Sequence, residues 1–78
     1  MKRDVYLAIP SWEALYRAGE SRRAFAVTVL TWDMGGRYSS HVEGDELLFS
    51  VPRRGARKEL RETLTRVYGF ESRTVVRN

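Results

Sequence analysis

The segment Pro52-Arg53-Arg54-Gly55-Ala56-Arg57-Lys58 is where residue types and spacing in this chain could do chemistry. Four cations gather where an apolar helical repeat begins, and Arg61 follows one turn beyond Arg57 on the same side. The start of a helix already carries about half a positive charge and unpaired N–H groups, so acids stabilise it and cations oppose it. An anion bound there reverses the sign, because a phosphate gains the N–H groups, the dipole and the guanidinium forks together. Gly55 permits close approach to the backbone. The expectation is a phosphate site, on nucleic acid or on another phosphate-bearing ligand, made of Arg53, Arg54, Gly55, Arg57, Lys58 and Arg61. The competing reading leaves these cations solvated, or paired with Glu59, Glu62 and the acidic turn Glu43-Gly44-Asp45-Glu46.

Stacking of bases beside such a patch needs exposed rings, and Trp32 and Tyr38 are the candidates, with Tyr6 on a further strand. The same two residues flank the turn Asp33-Met34-Gly35-Gly36, where pairing across a hairpin is the first expectation and stacking the second. The basic-glycine-aromatic signature of RNA-recognition strands does not occur. Trp12 and Tyr16 read as core.

His41 with Ser39, Ser40 and Asp33 invites a hydrolytic reading, which strand geometry opposes: Ser39 and His41 share one face while Ser40 points away. The carboxylates Glu43, Asp45 and Glu46 match no calcium loop. With no cysteine and one histidine, a thiolate zinc site is excluded and no metal is expected. Walker and dinucleotide fingerprints are absent, so neither a cofactor nor an enzyme class follows.

These residues must be positioned by the elements around them. Asp4 to Ile9 reads as a strand stopped by Pro10, and Ser11 caps a short helix with Trp12, Leu15 and Tyr16 on one face and Gly19 as its stop. Ala24 to Trp32 alternates Phe25, Val27 and Val29 with Ala24, Ala26, Thr28, Leu30 and Trp32, which predicts a second strand apolar on both faces. Arg37 to Glu43 predicts a third strand, and the turn Gly44-Asp45 leads to a fourth over Leu47 to Val51, ended by Pro52. From Ala56, the spacing of Leu60, Leu64 and Val67 predicts a second helix ending at Tyr68-Gly69, before a fifth strand over Phe70 to Arg77.

The expected architecture is a single α+β domain over residues 1–78, in the order β-α-β-β-β-α-β. Two helices cover one face of a mostly antiparallel five-stranded sheet, a ferredoxin-like variant with an extra strand. Helices on one side cannot cover both rows of the second strand, so a homodimer through the open sheet face is expected. At 78 residues a core is marginal and nothing covalent reinforces it, which favours self-association further.

No apolar run is long enough to span a membrane, and the start, Lys2-Arg3-Asp4, lacks the apolar stretch of a secretory signal, so a cytoplasmic address is expected. Twelve arginines against two lysines, no glutamine and one asparagine suggest a thermally stressed or GC-rich source. A formal charge of +4 suits a polyanionic partner. Three classes of function remain: a small dimeric interaction or regulatory domain, a nucleic-acid-binding protein, and an enzyme acting on a small anionic substrate.

Overall fold

The computed structural model describes residues 3–78, so the domain expected over 1–78 extends by Met1 and Lys2 beyond the described residues. The elements are β1 (Asp4–Pro10), α1 (Trp12–Arg17), α2 (Ser21–Met34), β2 (Ser40–Glu43), β3 (Glu46–Ser50), α3 (Arg54–Arg66) and β4 (Arg73–Arg77). They form an α+β domain in which the sheet runs β2-β3-β1-β4, antiparallel at every step.

β1 lies in the interior of the sheet, with Leu7 opposite Phe49 and Ile9 opposite Leu47. Its alternation sends Leu7 and Ile9 to one face and Tyr6 and Ala8 to the other. Ser11 ends the strand and starts α1: its N–H donates to Asp45 O at 2.8 Å and its hydroxyl accepts from Ala14 N at 3.1 Å. Gly19, at φ +80°, reverses the chain and hands it to α2.

α2 corrects the sequence reading. Ala24–Trp32 is not a strand but part of a 14-residue helix, and among the described residues the sheet has four strands instead of five, with three helices instead of two. Ala24, Val27, Leu30 and Met34 recur at three, three and four, and all four are buried. Thr28 and Thr31 bond back to the carbonyls of Ala24 (3.4 Å) and Val27 (2.7 Å), so their hydroxyls fit within the helix. The segment matched a strand because its outward positions are apolar too, and alternation cannot be told from a helical repeat when both faces are apolar.

The hairpin after α2 is as expected in kind. Glu43 pairs with Glu46 across Gly44-Asp45, and Gly44 takes the left-handed conformation at φ +58°. α3 begins two residues before Ala56 and buries Leu60 and Leu64, whereas Val67 lies past its end and is exposed. The last strand begins at Arg73 and not at Phe70, because Phe70 turns into the core beneath the Arg23 guanidinium, 4.8 Å from its ring centre.

One main core results. Leu7, Ile9, Leu47 and Phe49 of the sheet meet Leu15 of α1, the inner row of α2, Leu60 and Leu64 of α3, and Phe70. The opposite sheet face carries only a small cluster of Ala8, Leu48 and Val75 with Tyr6. Ion pairs strap it: Arg73 reaches Glu46 at 2.5 Å, and Arg77 grips both oxygens of Glu43 at 2.5 Å. The two-sided apolar strand that motivated a dimer through this face does not exist, and the face itself is narrow and charged.

Glu43 accepts from Arg77 and also lies 2.6 Å from His41 Nε2, while the edge of the Tyr6 ring meets His41. The Arg77 guanidinium first, and His41 second, hold the Glu43 carboxyl at about 2 against an ordinary 4.5. A depressed folded-state value contributes stability that is present above pH 4.5 and is lost as pH falls toward 2. Arg77→Ala is expected to return the Glu43 midpoint toward 4.5 and to flatten acid destabilisation across that window. Carboxyl-carbon titration by NMR checks it, and an unmoved midpoint would assign the shift to another group.

Candidate interaction surfaces

Two surfaces stand out, a basic one at the start of α3 and an apolar one along α2. Arg53 is the N-cap of α3, in an extended conformation and without a side-chain cap bond, and no acid occupies the first turn. Arg54, Gly55 and Lys58 are exposed beside it. No atom lies within 4 Å of where a Cβ on Gly55 would sit, so the space over this helix start is open.

The remaining two predicted cations turn inward. Arg57 donates through Nη1 to Val51 O at 3.2 Å and Pro52 O at 3.0 Å, bracing the link from β3 into α3. Arg61 donates to Ser72 O at 2.8 Å and to the Thr74 hydroxyl, tying α3 to the approach of β4. The partners are carbonyls and a hydroxyl, not the acids weighed from the sequence. A five-cation stripe is therefore reduced to Arg53, Arg54 and Lys58, which among the described residues form no ion pair.

A cleft of about 250 Å³ beside Arg53 is lined by Arg37, Tyr38, Val51, Pro52 and Ala56. Tyr38 thus stands at the basic surface, although as a half-buried side chain packed on the core. Arg37 adds a cation to this cleft that sequence spacing did not group with the others. Trp32 does not join Tyr38 across a hairpin: it sits on α2 and lines a different cleft.

That second cleft is the larger, about 520 Å³, with walls from Trp12, Thr28, Thr31, Trp32, Val42 and Leu47. α2 forms its rim. Opposite the buried row of α2 lie Phe25, Val29 and Trp32, and Trp32 is 87% exposed and Phe25 68%. Trp12 and Tyr16, expected in the core, are 44% and 60% exposed and stack on one another with ring centres 5.2 Å apart and planes 4° from parallel. α1 is too short to turn both rings inward once Leu15 has taken the buried position.

Elsewhere, His41 lies on the sheet edge beside Glu43, and among the described residues no three His, Cys, Asp or Glu side chains gather as a metal site. No helix among the described residues is long and apolar enough to cross a membrane. Comparison of the chain with protein-family models, curated proteins and solved structures gives no match in any of the three.

Proposed function

We propose that this chain is a small interaction module, without catalytic chemistry of its own, that works as a homodimer through the outer face of α2. The observation that carries the reading is the stripe Phe25, Val29 and Trp32, apolar and turned away from the core. Aromatic side chains offer about 150–250 Å² each. Taken with Trp12, Tyr16 and Val42, the exposed apolar surface comes to roughly 700 Å², above the ~300–600 Å² of the largest patch on an ordinary monomer and near the ~800 Å² each partner buries in a standard interface. Sedimentation tests it: a mass near twice 9.1 kDa at micromolar concentration is expected, and a monomer throughout would remove the reading.

We read the architecture as a ferredoxin-like variant, since counting α1 and α2 as one crossover gives the order β-α-β-β-α-β. The cysteine-free composition agrees with a cytoplasmic address.

A second reading has its own support. Arg53, Arg54 and Lys58 stand unneutralised at the positive pole of α3, with Arg37 and Tyr38 in the adjoining cleft, an arrangement suited to nucleic-acid phosphates. Three phosphate contacts per chain give a slope of log affinity against log salt of at most about −2.7 on duplex DNA. Arg54→Glu with Lys58→Glu is expected to abolish such binding, while the Arg54→Glu part slightly stabilises the helix because an acid suits its first turn. Arg57 is left in place because it braces the backbone. A salt-independent affinity, or binding that survives the double variant, rejects phosphate contact.

A further inference from the structure

Three and a half residues separate Phe25 from the midpoint of the α2 stripe, and the same distance separates that midpoint from Trp32, so the centre of the apolar surface falls between Thr28 and Val29. At roughly 100° per residue, Arg22 and Asp33 both lie on one flank of this stripe, at opposite ends of it. These two facts restrict how a second copy can sit.

We infer that two copies pair α2 against α2 antiparallel, about a twofold axis at Thr28 and Val29, so that each Phe25 covers the partner's Trp32. The inference rests on the self-association proposed above and names its geometry. A twofold contact uses the same patch on both copies, and an antiparallel helix pair about this axis brings position 25 opposite position 32 on both sides. Phe25 then arrives at the rim of the 520 Å³ cleft of which Trp32 forms one wall. The side chains at the crossing, Thr28 and Val29, are short and β-branched, which lets the helix axes approach to about 8–10 Å.

Charge selects the antiparallel sense. An axis perpendicular to both helices preserves the flank, so Arg22 meets the partner's Asp33, and the pair occurs twice. A parallel arrangement, whose axis runs along the helices, would carry this flank to the opposite side of the contact on the partner, so neither Arg22 nor Asp33 would meet an opposite charge across it. Among the described residues Arg22 has no acidic partner in its own chain. Asp33 accepts from the Tyr68 hydroxyl through Oδ2 at 2.6 Å, which leaves Oδ1 to accept from an arginine. Antiparallel helix dipoles add in the same direction.

Cross-linking and charge exchange, read beside sedimentation, test the geometry. Val29→Cys is expected to form a disulfide-linked dimer on mild oxidation, whereas Ser50→Cys, on the open sheet face, is expected to stay uncrosslinked. Arg22→Asp is expected to weaken self-association roughly tenfold through like-charge contact, and Arg22→Asp with Asp33→Arg to restore it. A dimer by mass that cross-links at position 50 and not at 29 overturns the helix pairing while leaving self-association intact. Cross-linking at 29 without rescue by the charge exchange overturns the antiparallel sense, and a monomer by mass overturns both the inference and the reading beneath it.

Discussion

Leu30→Ala is expected to destabilise the fold by about 2–5 kcal/mol, while Trp32→Ala, measured at a dilution where the chain is monomeric, changes stability by no more than about 0.5 kcal/mol. The contrast follows from a helix. Leu30 is fully buried among Leu7, Phe49 and Leu64, and truncation removes its transfer free energy and leaves a cavity that the sheet cannot close. Trp32, two residues on, points to solvent and has little to lose. In a strand the two positions would share a face and respond alike. Urea unfolding of the two variants, with the slope checked for two-state behaviour, reads the difference directly. Equal losses at both positions would contradict the helical assignment of α2.

The regions legible from the sequence are those where a local rule decides alone. Pro10 can stop β1, Ser11 caps α1 with its own hydroxyl, Gly44 closes the β2–β3 hairpin, and Leu60 with Leu64 marks the inner face of α3. α2 was not legible in this way. Ala24-Phe25-Ala26-Val27-Thr28-Val29-Leu30 is rich in β-branched residues and apolar at every turn of either period, and propensity is a weak prior beside tertiary packing. What decides is distant in the chain: Leu7 and Phe49 present a flat apolar sheet face that needs a long apolar row such as Ala24, Val27, Leu30 and Met34 laid across it. A shorter-range signal was present, since Met34 carries the three-four repeat of Ala24, Val27 and Leu30 forward to a length strands rarely reach.

The candidate sites divide along the same line. That cations crowd the start of α3 could be read from Arg53, Arg54 and Lys58, whose positions depend only on where the helix begins. The inward turn of Arg57 and Arg61 could not, because their acceptors are the carbonyls of Val51, Pro52 and Ser72, and backbone oxygens leave no trace in residue identity. The apolar surface was missed as a consequence of the strand assignment. Placing Phe25 and Trp32 on opposite faces of a strand hid that they share one face of a helix, and the need for a covering partner was transferred to the sheet.

Trp32→Glu is expected to abolish self-association and, with it, the dependence of thermal stability on protein concentration. A partner that binds only the folded chain stabilises it by mass action, by about 2.7 kcal/mol when free partner stands at ~100 times the dissociation constant. For a domain of this length that corresponds to a rise in midpoint on the order of 10 °C between dilute and concentrated solution. A tryptophan buried by a partner is the residue type whose truncation costs most, and a buried carboxylate facing the partner's Phe25 adds a desolvation penalty. The variant's midpoint should therefore be flat with concentration and equal to the dilute limit of the parent chain, because Trp32 supports nothing inside its own fold. Differential scanning calorimetry over a hundredfold range of concentration distinguishes the cases. A variant whose midpoint still climbs as steeply as the parent's would mean that the surface joining two copies lies somewhere other than α2. A variant whose dilute midpoint falls well below the parent's would mean that Trp32 is part of the monomer's own packing, and the apolar stripe would lose its meaning as a docking face.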